Sequence, residues 1–244
     1  MQKWKNINTN FKKMEEKEEK IIRREYNEIS FGNGNLYRGD IKFIDEKDPL
    51  MDGKGILYFA NGDYYIGEFK DDKMDGFGMY MHGESKNFMI GQFNNNMMNG
   101  LGTYHFIDKG NVYKGYFKDD KMEGYGEYMY YDGNKHIGEF KDNKLEGIGI
   151  FEFSFGDIYK GEFSKDKMCG IGKYIFNDGD YHEGTYENDV KNGLGIMHYI
   201  TDNKRYEGNY KNDKKEGYEE FISSINDNII EKGIFEENNL VKHL

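Results

Sequence analysis

The chain has 244 residues and a formal net charge of −11, which argues against non-specific binding to nucleic acid or to an anionic membrane surface. Only 36% of it is hydrophobic, yet 16% is aromatic and 32 residues are glycine, a mix that suits short strands and turns better than packed helices. There is no run of about 18 apolar residues to cross a membrane and no apolar secretory core at the start, and the single cysteine, Cys169, cannot close an internal disulfide, so a reducing intracellular setting is expected.

Residues 1–29 are predicted to form a charged amphipathic helix. The segment has good helix formers and no Gly or Pro, and it sets Glu16–Lys20 and Glu19–Arg23 at i, i+4. Trp4, Ile7, Phe11 and Met14 fall at spacings of 3, 4 and 3, one helix face. The segment carries eight Lys/Arg against six Asp/Glu, whereas residues 30–244 carry 26 against 39. It is read either as a solvated extension or as a helix that folds back on the rest of the chain or docks a partner. The start Met1-Gln2 offers no glycine for myristoylation.

Residues 30–221 are repetitive. "YYIGEFKDDKMDGFGMY" (64–80) returns as "VYKGYFKDDKMEGYGEY" (112–128). The first glycine of this frame recurs at Gly39, Gly67, Gly91, Gly115, Gly138, Gly161, Gly184, Gly208 and Gly233, with gaps of 23 to 28 residues. A Gly-x-Gly pair keeps the same period from Gly53/Gly55 to Gly193/Gly195, and an eighth copy is broken at Gly217 and Glu219. Each unit reads as a β-hairpin. Tyr65, Gly67 and Phe69 share one strand parity, as do Gly76, Gly78 and Tyr80, while Phe77 and Met79 take the other. Asp- and Asn-rich turns such as "KDDKMD" join the strands. A glycine between two rings leaves a hole that an aromatic ring from a neighbouring strand is expected to cover. The first unit is stretched by an insertion at 44–50, and residues 222–244 read as a degenerate ninth half-unit closing the array.

Tyr-x-Gly-x-Phe followed by Gly-x-Gly-x-Tyr at this period resembles the MORN (membrane occupation and recognition nexus) repeat. "YKGEFSKDKMCGIGKYIFNDGDYH" (159–182) is nearly a consensus unit. The common tryptophan is replaced by Phe69, Phe93, Phe117, Phe140, Phe163, Tyr186 or Tyr210, and units three, five and seven open on Met89, His136 and His182. The resemblance implies an all-β, elongated single-layer antiparallel sheet of about eight hairpins. It also implies a non-catalytic scaffold or adaptor in a cytoskeletal or membrane-skeleton assembly (cortical, apical or basal, or axonemal). That assembly would lie in the cytoplasm, on the cytoskeleton or on the cytoplasmic face of a membrane.

The candidate partner-binding groove is the shared-parity row Tyr65, Phe69, Tyr80, Phe93, Tyr104, Phe106, Tyr113, Phe117, Tyr128, Tyr130, Phe140, Phe151, Phe153, Tyr159, Phe163, Tyr174 and Phe176. Most of these rings have packing as their simplest role, but a single-layer sheet has no second layer to cover them all. The expected occupant is a protein helix or peptide, with a second copy of the chain meeting an array end as a further contact. The alternative function is a phosphoinositide-binding peripheral protein, with Lys73, Lys121, Lys144 and Lys167 as edge candidates. Interleaved acids make that row zwitterionic, so any membrane contact is expected to be indirect. No enzyme, cofactor or metal site is read. His136 and His182 stand roughly 19 Å apart by strand spacing, and neither a phosphate loop nor a nucleophile elbow is present.

Overall fold

The structure is a computed structural model, and it describes residues 21–44, 48–223 and 228–244. Among these residues all regular structure is β and forms one sheet. The strands are β1 (Ile21–Ser30), β2 (Leu36–Ile44), β3 (Leu50–Tyr58), β4 (Tyr64–Lys70), β5 (Lys73–Met81), β6 (Phe88–Asn94), β7 (Met97–Phe106), β8 (Asn111–Lys118), β9 (Lys121–Met129) and β10 (Lys135–Lys141). They continue as β11 (Lys144–Glu152), β12 (Ile158–Ser164), β13 (Lys167–Ile175), β14 (Tyr181–Glu187), β15 (Val190–Tyr199), β16 (Lys204–Lys211), β17 (Lys214–Lys215), β18 (Gly217–Ser223), β19 (Ile229–Glu236) and β20 (Asn239–His243). The sheet is a meander in chain order, each strand antiparallel to its sequence neighbours, with short β17 and β18 sharing β16 as partner. The closing segment, read from sequence as half a unit, contains the two paired strands β19 and β20.

The two glycine combs merge into one seam. Gly39 faces Gly55, Gly55 faces Gly67, Gly67 faces Gly78, and the line runs unbroken to Gly195 and Gly208. The other glycine of each Gly-x-Gly has a different job. Within a hairpin the register slips past the seam, so that Gly67 pairs Gly78 but Phe69 pairs Met74. Gly76, at φ 110°, makes that bulge, and the Glu68 carboxylate accepts the displaced Phe77 N–H at 3.0 Å.

Turn chemistry sets how hairpins stack. The two-residue turns take left-handed conformations at both positions, as at Asp119 and Asp120, with φ 48° and 65°. The second turn residue clamps the preceding hairpin in both directions. The Asp120 N–H donates to the Met98 carbonyl at 3.1 Å and its Oδ1 accepts the Met98 N–H at 2.6 Å. Asp72, Asn96, Asn143, Asp166, Asp189, Asp213 and Asn238 repeat the acceptor role toward Met51, Met74, Met122, Leu145, Met168, Lys191 and Lys215. Along the opposite margin Asp63, Asn134, Asp157 and Asp180 do the same for Gly83, Ser154, Asn177 and Ile200. Asp120→Ala should therefore destabilise by about 1–3 kcal/mol, because a part-buried N–H loses its acceptor. Asp120→Asn should be close to neutral, since Asn96 and Asn143 fill the same place. Urea unfolding of the two variants checks this.

The segment 21–29, expected as the end of a helix, is instead most of strand β1, paired with β2 from Arg24–Lys42 to Ser30–Leu36. Helix propensity there yields to the open edge of β2, whose backbone groups β1 satisfies. Glu28 pairs with Arg38 at 2.5 Å, and Ile29 and Phe31 pack on the core. Trp4, Ile7, Phe11 and Met14 lie outside the described residues.

Candidate partner-binding face

The aromatic side of the sheet has a closed half and an open half. In the closed half, Tyr37, Tyr65, Tyr113 and Tyr159 are fully buried over the glycine seam, and Tyr206 is fully buried in the same row. A Cβ added at Gly67 or Gly78 would meet Tyr65 ring atoms within 2.5 Å, and Tyr113 stands likewise over Gly115 and Gly126. The covering ring comes from two residues earlier on the same strand for the first glycine of each pair, where a neighbouring strand's ring had been expected, and from the neighbouring strand, as expected, for the glycine paired with it. Its hydroxyl donates to the carbonyl three residues on, as from Tyr113 to Tyr116 at 3.0 Å. Phe69, Phe93, Phe117, Phe140, Phe163, Tyr186 and Tyr210, each 3–6% exposed, wedge edge-on between these rings. Tyr113, for example, meets Phe117 at 5.1 Å and 86° and Phe140 at 4.9 Å and 74°. Met74, Met98, Met122 and Leu145 complete this core.

Three units depart from the pattern. Where Met89 replaces the tyrosine, the Met98 methyl moves over Gly91 and Gly102. His136 and His182 occupy the tyrosine site in their units, fully buried. Both ring nitrogens of His136 and Nε2 of His182 have no hydrogen-bond partner, while His182 Nδ1 contacts the Tyr186 hydroxyl at 2.7 Å. Burial pushes His136 down to about 4. Burial, with neighbouring Lys191, pushes His182 down to about 3.

The open half is a ladder of half-buried rings. It runs Phe59, Tyr80, His82, Tyr104, Phe106, Tyr128, Tyr130, Phe151, Phe153, Tyr174, Phe176, each ring 4.3–6.3 Å from the next. Tyr80 and Tyr174 donate to Asp63 and Asp157 at 2.7 Å, which orients them. Burial and those carboxylates push both phenols up, and burial pushes Tyr130 up to about 12, so the ladder presents neutral hydroxyls. Two depressions open beside it. One of about 340 Å³ is bordered by Tyr104, Phe106, Tyr128, Asp120 and Asn143. The other, of about 300 Å³, is bordered by Phe153, Tyr174, Phe176, Asp189, Lys191 and Asp213.

Of the seventeen rings singled out in the sequence, Tyr65, Phe69, Phe93, Tyr113, Phe117, Phe140, Tyr159 and Phe163 are sealed in the core. Tyr80, Tyr104, Phe106, Tyr128, Tyr130, Phe151, Phe153, Tyr174 and Phe176 face the open ladder. Sequence reasoning missed Phe59 and His82 as ladder members, for which parity with Leu57 and Tyr80, two residues earlier in each unit, was the available signal, and the core methionines, whose recurrence inside "KDDKMD" was read as part of the turn. Lys73, Lys121, Lys144 and Lys167 are all exposed at the turn margin. Lys73 donates to Asn95 at 2.8 Å and Lys121 pairs with Asp142 at 2.6 Å. Among the described residues no three His, Cys, Asp or Glu side chains come together as a metal site, and no helix is long and apolar enough to cross a membrane.

The family model described as "MORN repeat" matches residues 50–64, 65–83, 90–110, 113–135, 136–157, 159–181, 182–204 and 206–218. The chain belongs to the MORN repeat family. No curated protein matches it. A solved structure it resembles is the TCP domain of Drosophila melanogaster SAS-4 (dCPAP) in complex with a proline-rich motif of Ana2 (dSTIL). That match has 12% identity and a TM-score of 0.39, and covers 72% of this chain and 84% of the other. The MORN repeats account for β3 to β17, and the same sheet extends beyond them through β1 and β2 at one end and β18 to β20 at the other.

Proposed function

We propose that this MORN repeat protein is a non-catalytic scaffold that holds a protein partner along its open aromatic ladder, in a cytoskeletal or membrane-skeleton assembly. The observation that carries the reading is the ladder itself, a continuous line of half-buried rings from Phe59 to Phe176 on a one-layer sheet. A contiguous apolar surface of this kind marks an interface in a folded protein. MORN repeats are an interaction module associated with membrane and cytoskeletal settings, and the repeat family is non-enzymatic. The rim of the ladder sets Asp120, Asp189 and Asp213 against one lysine, Lys191, so the partner is an amphipathic helix or extended peptide carrying apolar anchors with basic residues in excess. Direct phosphoinositide binding has less support, because two of the four candidate lysines already bond neighbouring side chains and the chain is strongly acidic.

Tyr130→Ser, Phe153→Ser and Phe176→Ser together should remove partner recovery from native-cell extract while leaving the closed core intact by thermal melting. Undiminished recovery would defeat the reading. Flotation with phosphoinositide vesicles that is strong and salt-sensitive, and absent with neutral vesicles, would favour the peripheral-membrane alternative.

A further inference from the structure

The open ladder has a fixed pitch. Every second strand from β5 to β13 carries or ends in two rings two residues apart, so the ladder is built of rungs. Neighbouring rings stand 4.3–5.1 Å apart within a rung and 5.6–6.3 Å apart from one rung to the next. With strands about 4.8 Å apart, rungs recur about every 9.6 Å across the strand direction. The two depressions keep this period. Phe176, Asp189 and Asp213 border the second where Phe106, Asp120 and Asn143 border the first, three units or about 29 Å away.

An occupant lying along the rungs crosses the strands, and this selects its backbone. The sheet beneath already pairs its own backbone groups strand to strand, so the occupant's N–H groups would be buried on rings without acceptors. Proline has no N–H to bury. Pitch makes the same choice. A polyproline II helix turns once in three residues, about 9.3 Å, and drifts only about 1.2 Å from the rungs over the four steps from β5 to β13. An α-helical heptad advances about 10.5 Å and drifts about 3.6 Å over the same steps. In a β-strand, residues three apart face opposite ways.

We propose that the ladder's partner is a proline-rich segment in the polyproline II conformation, one turn per rung, with basic residues along one ridge. The inference rests on the ladder being the partner site and adds the backbone and period of what it holds. Aromatic-lined grooves suit this helix because it is preformed and loses little entropy on binding. Its free carbonyls need donors, and Tyr128 supplies one: the hydroxyl accepts the Asn111 side-chain amide at 2.9 Å and keeps its proton to give. Asp120, Asp189 and Asp213 outnumber Lys191 along the same margin, which places the basic ridge on that side.

A fluorescein-labelled peptide of four Pro-Pro-Lys triplets, titrated with the full chain, tests this by anisotropy. It should bind at least about tenfold more tightly than two controls of equal charge, four Gly-Ser-Lys triplets and an amphipathic helix with leucines at heptad spacing. Tyr128→Phe should weaken it severalfold, and Tyr130→Ser, Phe153→Ser and Phe176→Ser together should abolish it. Equal binding by either control, or binding that survives the triple variant, would overturn the proposal. Should the triple variant lose its native-cell partner while the proline peptide never binds, the ladder stays the partner site and the polyproline assignment alone fails.

Discussion

Tyr113→Ala should cost about 3–5 kcal/mol, the range for removing a large buried aromatic. The ring covers Gly115 and Gly126, wedges Phe117 and Phe140, and donates to the Tyr116 carbonyl, so its loss opens the seam and unseats two neighbours at once. Because contacts run only between adjacent hairpins, the damage stays local and should split unfolding, with the hairpins on either side of β8 and β9 melting separately. Tyr113→Phe keeps the ring and loses one hydrogen bond, worth about 1 kcal/mol. Differential scanning calorimetry checks both: one cooperative transition in the Phe variant, two in the Ala variant. A single, slightly shifted transition for Tyr113→Ala would show that the ring row is not the core.

The second large effect follows from His136 and His182. Both are held neutral by burial, at about 4 and about 3, against 6.5 for a histidine exposed in the unfolded chain. Between these limits the unfolded chain binds protons that the folded chain refuses. The stability contributed by the neutral rings is therefore complete above pH 6.5 and is lost as pH falls toward 4. Each histidine removes up to about 1.4 kcal/mol per pH unit, or about 4 kcal/mol for the pair by pH 5. His136→Tyr restores the ring found at Tyr113 and Tyr159, whose hydroxyls reach carbonyls at 3.0 and 3.1 Å, and replaces two unpartnered nitrogens. The double variant with His182→Tyr should be more stable at pH 7 and should flatten the pH dependence of the urea midpoint between pH 4 and 6.5. An unchanged slope would mean that the rings protonate without penalty.

The hairpins, their parity and their stacking order were legible in the sequence because the period is strict and each strand alternates faces. That one glycine of each pair forms the seam and the other a bulge was not legible, since both look alike until the register slip at Phe69 and Met74 separates them. The division of the rings was equally hidden. Tyr65 and Tyr80 share a parity, but only Tyr65 sits over glycines, and only the cross-strand pairing shows it. Strand β1 escaped because its residues favour a helix locally and the sheet edge decides otherwise.

Face-resolved photo-crosslinking tests the central claim most directly. A photoreactive phenylalanine at Tyr130 or Phe153, on the ladder, and at Ile171, 71% exposed on the other side, would be activated in native cells. The account predicts one discrete protein adduct from Tyr130 and Phe153, carrying a peptide with apolar and basic residues, and none from Ile171. The same adduct from both sides, or from Ile171 alone, would contradict it.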